Sequence, residues 1–180
     1  MTAITVSGAL LDYLESMESV IERSCLECVR RPDRLFCGLT QDALRDFDLL
    51  KSLAIYPRGT ILLRQGQPAR SVFVLCQGRA KLSVCSESGT QLTLRIANPG
   101  EVLGLSAALV GGFHEISAEL LENAQVAVVK RKDLLEFLHQ HRDACLQVVS
   151  RLSQDLHFAY DRVRSVGLGQ TRRPRAAHVH

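Results

Sequence analysis

Closely spaced glycines between short apolar runs constrain this chain more than any other feature of its sequence. Between Tyr56 and Leu109 they separate apolar runs of about five residues, the usual length of a β-strand. Glycine supplies the positive φ that tight turns need, and no run of helix length lies between these segments. The pattern therefore predicts a small β-roll or sandwich and argues against an enzyme built on βαβ units. The glycines are Gly59, Gly66, Gly78, Gly89, Gly100 and Gly104, and the runs are 61–63, 72–75, 80–84 and 92–96.

Helical periodicity flanks this β-region on both sides. Thr40 is a candidate N-cap for a short helix that carries Leu44, Phe47 and Leu50 on one face. The other predicted elements are a helix over 9–22, a helical turn over 105–110, strands over 116–121 and 125–129, and helices over 133–141 and 142–166.

The predicted fold class is mainly β with flanking helices, a double-stranded β-helix or jelly roll followed by a long helix. We divide the chain into an N-terminal helix with a cysteine-rich loop (1–38), a β-roll with its flanking helices (39–141), the long helix (142–166) and a basic tail (167–180).

The composition is that of a folded chain, with 46% apolar and 23% charged residues. No apolar run is long enough to span a membrane, and the acidic N-terminal region lacks the basic start of a signal peptide. We therefore expect a cytoplasmic protein without a membrane partner.

Arg172, Arg173 and Arg175 make the C-terminal end basic, which suits either contact with nucleic acid or a solvated tail.

The long helix carries an apolar heptad pattern. Its polar surroundings leave only a narrow apolar seam, which suits a partner helix better than the broad surface of a β-roll. A parallel homodimer through this helix is therefore expected, and the alternative is an ordinary core-facing stripe. The seam residues are Val149, Leu152, Leu156, Ala159, Val163 and Val166, with Cys145 one heptad before Leu152.

The order of these elements and the spaced glycine motifs resemble the sensor half of the CRP/FNR family of bacterial transcription regulators. The resemblance covers about residues 38–166 and rests on the segments YPRGT at 56–60, GQ at 66–67, VFVLCQGRAKL at 72–82 and NPGEVLG at 98–104. It implies a dimeric domain that senses a signal and shifts the packing of the seam helix, thereby reorienting a helix-turn-helix bound to promoter DNA.

The residues after 166 are too few for a helix-turn-helix. We therefore expect this chain to contact promoter DNA only in a full-length form that carries the reading head. Two alternatives stay open: a cyclic-nucleotide-binding regulatory domain, and a stand-alone dimerisation module that senses nothing.

The resemblance also implies a ligand pocket at Gly104, Leu105, Ser106, His114 and Ser117. Nucleotide-binding members of the family have a glutamate where this chain has Leu105, and an arginine for the cyclic phosphate near His114 and Glu115. A phosphate facing Glu115 without a cation would be repelled, so cyclic AMP is not the expected ligand.

Cys25, Cys28 and Cys37 form a second candidate site, because thiolates at this spacing can reach one metal ion. Nearby arginines favour the thiolate form. The oxygen-sensing branch of the family resembles this pattern and implies a four-iron, four-sulfur cluster, but its fourth cysteine falls close to Ala127. Such a cluster, zinc, a thiol redox switch and purely structural cysteines are the readings left open, with Cys76 and Cys85 as other candidates for a fourth ligand.

No catalytic pattern is present. The β-roll holds a single histidine, His114, whereas a metal-dependent enzyme of this shape needs several histidines and a carboxylate. Nucleophile-elbow, P-loop and zincin motifs are also absent. We therefore do not expect an enzyme.

Overall fold

The computed structural model describes residues 24–26, 28, 35–36 and 38–169. The helix predicted over 9–22, Cys37 and the tail from 170 onward lie outside these residues. The helices are α1 (Gln41–Leu50), α2 (Leu105–Val110), α3 (Arg131–Gln140) and α4 (Arg142–Gly169). The strands are β1 (Ser52–Tyr56), β2 (Ile61–Leu63), β3 (Ser71–Leu75), β4 (Ala80–Cys85), β5 (Gln91–Ala97), β6 (Val102–Leu103), β7 (Ser117–Leu120) and β8 (Ala124–Lys130).

The strands form two four-stranded antiparallel sheets. One has the order β1-β8-β3-β6 and the other β2-β7-β4-β5. Consecutive strands often lie in different sheets, as the glycine turns predict, so the chain winds back and forth between two layers. The predicted fold class is confirmed: a jelly roll with flanking helices and a long C-terminal helix.

The two central strands of the first sheet face two separate cores. In β3, Val72 and Val74 point towards the helices, while Leu75 points between the sheets. In β8, Ala127 and Val129 face the helices and Val126 faces the second sheet. This alternation follows from the two-residue repeat of a strand, and it explains why β8 is buried along nearly its whole length.

Three aromatic rings fix the helices on the first sheet. Phe36, Phe47 of α1 and Phe137 of α3 are each at most 2% exposed. The rings of Phe36 and Phe47 stack with their centroids 4.6 Å apart, and Phe47 and Phe137 are 5.4 Å apart. Fully buried aromatic side chains contribute strongly to a core of this size.

Helix α4 packs on the body of the domain only through its first turns. Ala144 and Val148 are buried in the helix-side core, and Leu152 is partly buried against it. Cys145, one heptad before Leu152, has an exposed side chain in the described chain. Leu152, predicted as a seam residue, therefore contacts its own domain as well.

Some boundaries differ from the prediction. Helix α3 begins at Arg131 rather than Asp133, because extended backbone at Lys130 ends β8 directly before it. Helix α4 continues past Gly167 to Gly169, since a glycine inside a helix costs only about 1 kcal/mol. Cys76, named above as a candidate fourth ligand, lies half-buried in the turn after β3.

A pair of glycine substitutions tests the turns. Both Gly78 and Gly89 have positive φ, +83° and +84°. A Cβ at Gly78 would lie 2.7 Å from the Cβ of Ala124, whereas one at Gly89 would meet nothing within 4 Å. We expect Gly78→Ala to lower the free energy of unfolding by about 2–4 kcal/mol and Gly89→Ala by about 1 kcal/mol. Urea unfolding of both variants measures this, and equal losses would contradict the packing described at Gly78.

Candidate functional site

Gly104 and His114 meet at the centre of the predicted pocket. Gly104 precedes α2 with φ +78°, and a Cβ there would lie 2.8 Å from Cε1 of His114 and 3.3 Å from a methyl carbon of Leu63. The backbone of His114 is held on both sides, because its N–H donates to the Gln67 carbonyl and its carbonyl accepts from Gly66. The close approach of the imidazole therefore requires glycine at position 104.

His114 is a buried titratable group. His114 is only 6% exposed. None of the described residues makes a hydrogen bond to its ring. Burial lowers the pKa of His114, although the nearby Glu115 carboxylate acts in the opposite direction. At neutral pH the ring is therefore uncharged.

The other predicted pocket residues lie around this contact with different partners. Leu105 is buried, and the exposed Ser106 donates a 3.5 Å hydrogen bond to Glu115. Ser117 accepts a 3.0 Å hydrogen bond from the backbone N–H of Gln65. The positions where the resemblance implies a ribose-binding glutamate and a phosphate-binding arginine thus carry an apolar side chain, Leu105, and an acidic one, Glu115.

Cys25 belongs to a polar network that the sequence pattern did not predict. Lys51, directly after α1, places its Nζ 3.0 Å from the Cys25 sulfur and 2.5 Å from Asp48. Asp48 accepts hydrogen bonds from the Cys25 backbone N–H at 2.7 Å and from the Ser24 hydroxyl at 3.0 Å. The Lys51 side chain is only 5% exposed and that of Asp48 is 22% exposed, so the network is partly shielded from water.

The protonation states in this network follow from burial and pairing. Burial raises the pKa of the Cys25 thiol, although the Lys51 ammonium opposes the shift. For Lys51, burial works against the charge, but the bonds to Asp48 and Cys25 outweigh it and raise the pKa. The pKa of Asp48 is lowered, because the bonds from Cys25, Lys51 and Ser24 outweigh burial. The resting network is a thiol, an ammonium and a carboxylate.

The described residues do not supply a complete metal site. Cys28 is buried and Cys25 half-buried, and Cys37 lies outside the described part of the chain. Within the residues that the structure describes, no three histidine, cysteine, aspartate or glutamate side chains are placed to hold one ion. The Lys51 ammonium contacts the Cys25 sulfur, where a metal cation would have to bind. Because Cys37 is not among the described residues, the predicted metal site stays a prediction.

A charged contact joins the β-roll to the long helix. Glu101, in the turn before β6, accepts bonds from Arg95 of β5 at 2.6 Å and from Arg151 of α4 at 3.3 Å. The backbone N–H of Asn98 donates to the same carboxylate at 2.8 Å. Glu101 therefore holds a single turn of α4 against the strand ends.

Helix α4 also presents an exposed apolar stripe, which begins beside this contact. Val149 is 55% exposed, Leu156 52% and Val163 71%, and these side chains recur every seven residues. Tyr160 lies beside them and is also exposed. These large apolar side chains remain exposed to solvent, and the stripe continues past Leu152, where α4 last packs on the core of the domain.

A two-sheet jelly roll followed by a long helix matches the fold of cyclic-nucleotide-binding domains, and the sequence comparisons agree. Residues 54–141 match the Cyclic nucleotide-binding domain family. The chain is 27% identical over 109 residues to the Cyclic AMP receptor protein of Thermus thermophilus, covering 59% of this chain and 49% of that protein. It is 28% identical over 135 residues to the Transcriptional activator protein anr of Pseudomonas aeruginosa, covering 73% and 55%.

Solved structures agree on the fold. The Thermus thermophilus Catabolite Activator Protein has a TM-score of 0.67 at 22% identity, with 74% of this chain and 62% of that chain covered. The sensor domain of the transcriptional regulator DNR from Pseudomonas aeruginosa has a TM-score of 0.60 at 18% identity, with 83% and 95% covered.

These matches support the predicted resemblance to CRP/FNR-type regulators; the two sequence relatives are not named as enzymes. The chain spans about half the length of the curated relatives it matches. Among the described residues, no helix combines the length and apolarity that crossing a bilayer requires.

The buried imidazole makes a pH prediction. The unfolded chain binds a proton at His114 near the ordinary pKa of 6.5, and the folded chain binds it only at lower pH. Between these two values the unfolded state carries more protons, so stability falls as the pH decreases below about 6.5. We expect His114→Gln to flatten this part of the melting temperature profile, while the exposed control His139→Gln leaves it unchanged. Identical slopes in all three proteins would contradict the burial of His114.

Proposed function

We propose that this chain is the sensor and dimerisation region of a CRP/FNR-type DNA-binding transcription regulator that works in the cytoplasm. In this proposal two copies pair along α4, and promoter DNA is contacted by a full-length form carrying a helix-turn-helix. A change in the sensor alters the packing of α4, and the paired helices pass that change to the DNA-binding part.

The exposed stripe on α4 is the observation that carries this proposal. Val149, Leu156 and Val163 lie on one side of a helix whose earlier side chains, Ala144 and Val148, already pack on the domain. Each of these three side chains exposes about half or more of its surface to water in a single chain. A second copy of α4 would cover them with a matching apolar surface. The predicted seam residue Ala159 lies between these positions, while the Val166 side chain lies outside the described side chains.

The Glu101 contact supports the signalling step. Arg151 precedes Leu152, which is partly buried in the domain, and is one helical turn from Asp155, to which it also binds at 3.3 Å. A movement of the turn at Glu101 would therefore act on the same part of α4 that begins the stripe. This connects the β-roll to the pairing surface through named side chains rather than through general flexibility.

We assign the input to the N-terminal cysteines rather than to a cyclic nucleotide. The family match over 54–141 favours a nucleotide, but Leu105 and Glu115 stand where the ribose and phosphate partners would be. Cys25 has instead a buried basic partner in direct contact. A module that only dimerises would have no need for this buried network.

A charge in the stripe tests dimer formation. We expect Leu156→Asp to convert the dimer to a folded monomer, because pairing would bury two unpaired carboxylates. Gln154→Asp is the matched control, since residues two apart on a helix face away from each other, and it should leave the dimer intact. Light scattering coupled to size exclusion measures both. A Leu156→Asp dimer as stable as the parent would remove the proposed interface.

Metal content tests the alternative reading of the cysteines. Because the Lys51 ammonium contacts the Cys25 sulfur, we expect protein purified without oxygen to contain neither iron nor zinc in stoichiometric amount. Elemental analysis and visible spectroscopy measure this. Visible charge-transfer absorption that disappears in Cys25→Ser would overturn the thiol reading and favour an iron–sulfur cluster.

A further inference from the structure

We propose that Cys25 and Lys51 form a reversible covalent bridge when the protein meets a peroxide. The inference rests on the redox input proposed above and gives it a defined chemical product. It is a modification of two side chains that lie 26 positions apart in sequence and touch in the fold.

The geometry favours this pair over other reactions of the thiol. Nζ of Lys51 lies 3.0 Å from the sulfur, within contact distance, and its side chain is 5% exposed, so it is held in place. One oxygen of Asp48, Oδ1, accepts hydrogen bonds from both the Lys51 amine and the Cys25 backbone N–H, so it holds the two residues together. An oxidised Cys25 sulfur would therefore have the lysine nitrogen in direct contact.

The first step is oxidation of sulfur. The Cys25 thiol reacts with one hydrogen peroxide: the O–O bond breaks, an S–O bond forms, and the products are a sulfenic acid and water. Peroxide is reduced by two electrons and sulfur is oxidised by two.

The second step is condensation. Lys51 nitrogen attacks the sulfenic sulfur, the S–O bond breaks, and an S–N bond forms as the hydroxyl leaves with one proton as water. Since Lys51 starts as an ammonium, one further proton passes to solvent. The sum is one thiol, one ammonium and one peroxide giving one sulfenamide, two waters and one proton. A thiol reductant cleaves the S–N bond and restores both side chains.

The bridge is tested by mass spectrometry of the whole chain after peroxide treatment in the native state. We expect a species lighter than the reduced chain by two hydrogens. In its tryptic digest, peptide 24–30 should be joined to an uncut peptide 46–58, because trypsin does not cleave after a modified Lys51. Reductant should separate the two peptides, and urea present during oxidation should prevent their joining.

Two variants separate this bridge from a disulfide. Cys28→Ser removes the thiol three positions along the chain and should still give the joined peptides. Lys51→Arg keeps the charge beside Asp48 but removes the amine, so it should give no joined peptides and leave a Cys25 sulfenic acid that dimedone traps. A Cys25–Cys28 disulfide, or overoxidised Cys25 with normal cleavage after Lys51, would overturn the bridge. Either result leaves the dimer test on Leu156 unaffected, so the two proposals fail separately.

Discussion

Strands β3 and β8 lie side by side at the centre of one sheet, and their pairing is the contact on which the other parts of the structure depend. The pair runs from Ser71 opposite Lys130 to Leu75 opposite Val126. Because successive side chains alternate, the same two backbones supply apolar groups to the core between the sheets and to the core under the helices. A one-residue slip would exchange the two cores, so the register is strongly specified.

The helix-side core then determines where the Cys25 network and the contact between Glu101 and Arg151 lie. Phe47 holds α1 on the sheet, which brings Asp48 and Lys51 to the N-terminal loop that contains Cys25. Val148 holds the first turns of α4 on the same core, which brings Arg151 to Glu101. The Cys25 network and the Glu101–Arg151 contact are therefore both positioned by the same packed core, although they involve different ends of the chain.

Sequence reasoning found the fold because the determining signals are local. Glycine turns such as the one at Gly78, and alternation within runs such as 72–75, depend on neighbours in the chain, and they predicted the two-layer arrangement. Short β6, with only Val102 and Leu103, was not predicted as a strand because two residues carry no periodicity. The start of α3 was predicted two residues late for a similar reason: β8 ends at Lys130 and the helix begins at Arg131, with no turn between them to mark the boundary.

The sites were harder to predict, since their contacts join distant residues. His114 was selected from a motif, but its approach to Gly104 depends on how the two ends of the α2 segment fold back. Lys51 and Asp48 carry no pattern that marks them as partners of Cys25, because the contact arises only when the loop before α1 meets its C-terminal end. The heptad alone also could not show that Leu152 packs on its own domain while Leu156 faces outward.

Lys51 lies directly before β1, so a shift of the backbone at Lys51 would act on the pairing of β1 with the central strand β8. It is the residue between α1 and β1, and β1 pairs along its whole length with β8, from Ser52 opposite Val128 to Tyr56 opposite Ala124. A covalent bond at Lys51 would tie the N-terminal loop to the start of that ladder. Removing its ammonium charge would also leave the half-buried Asp48 carboxylate without its cation, which costs free energy unless the segment rearranges. The proposed bridge would therefore change both a covalent constraint and a charge balance at the edge of the sheet that supports α4.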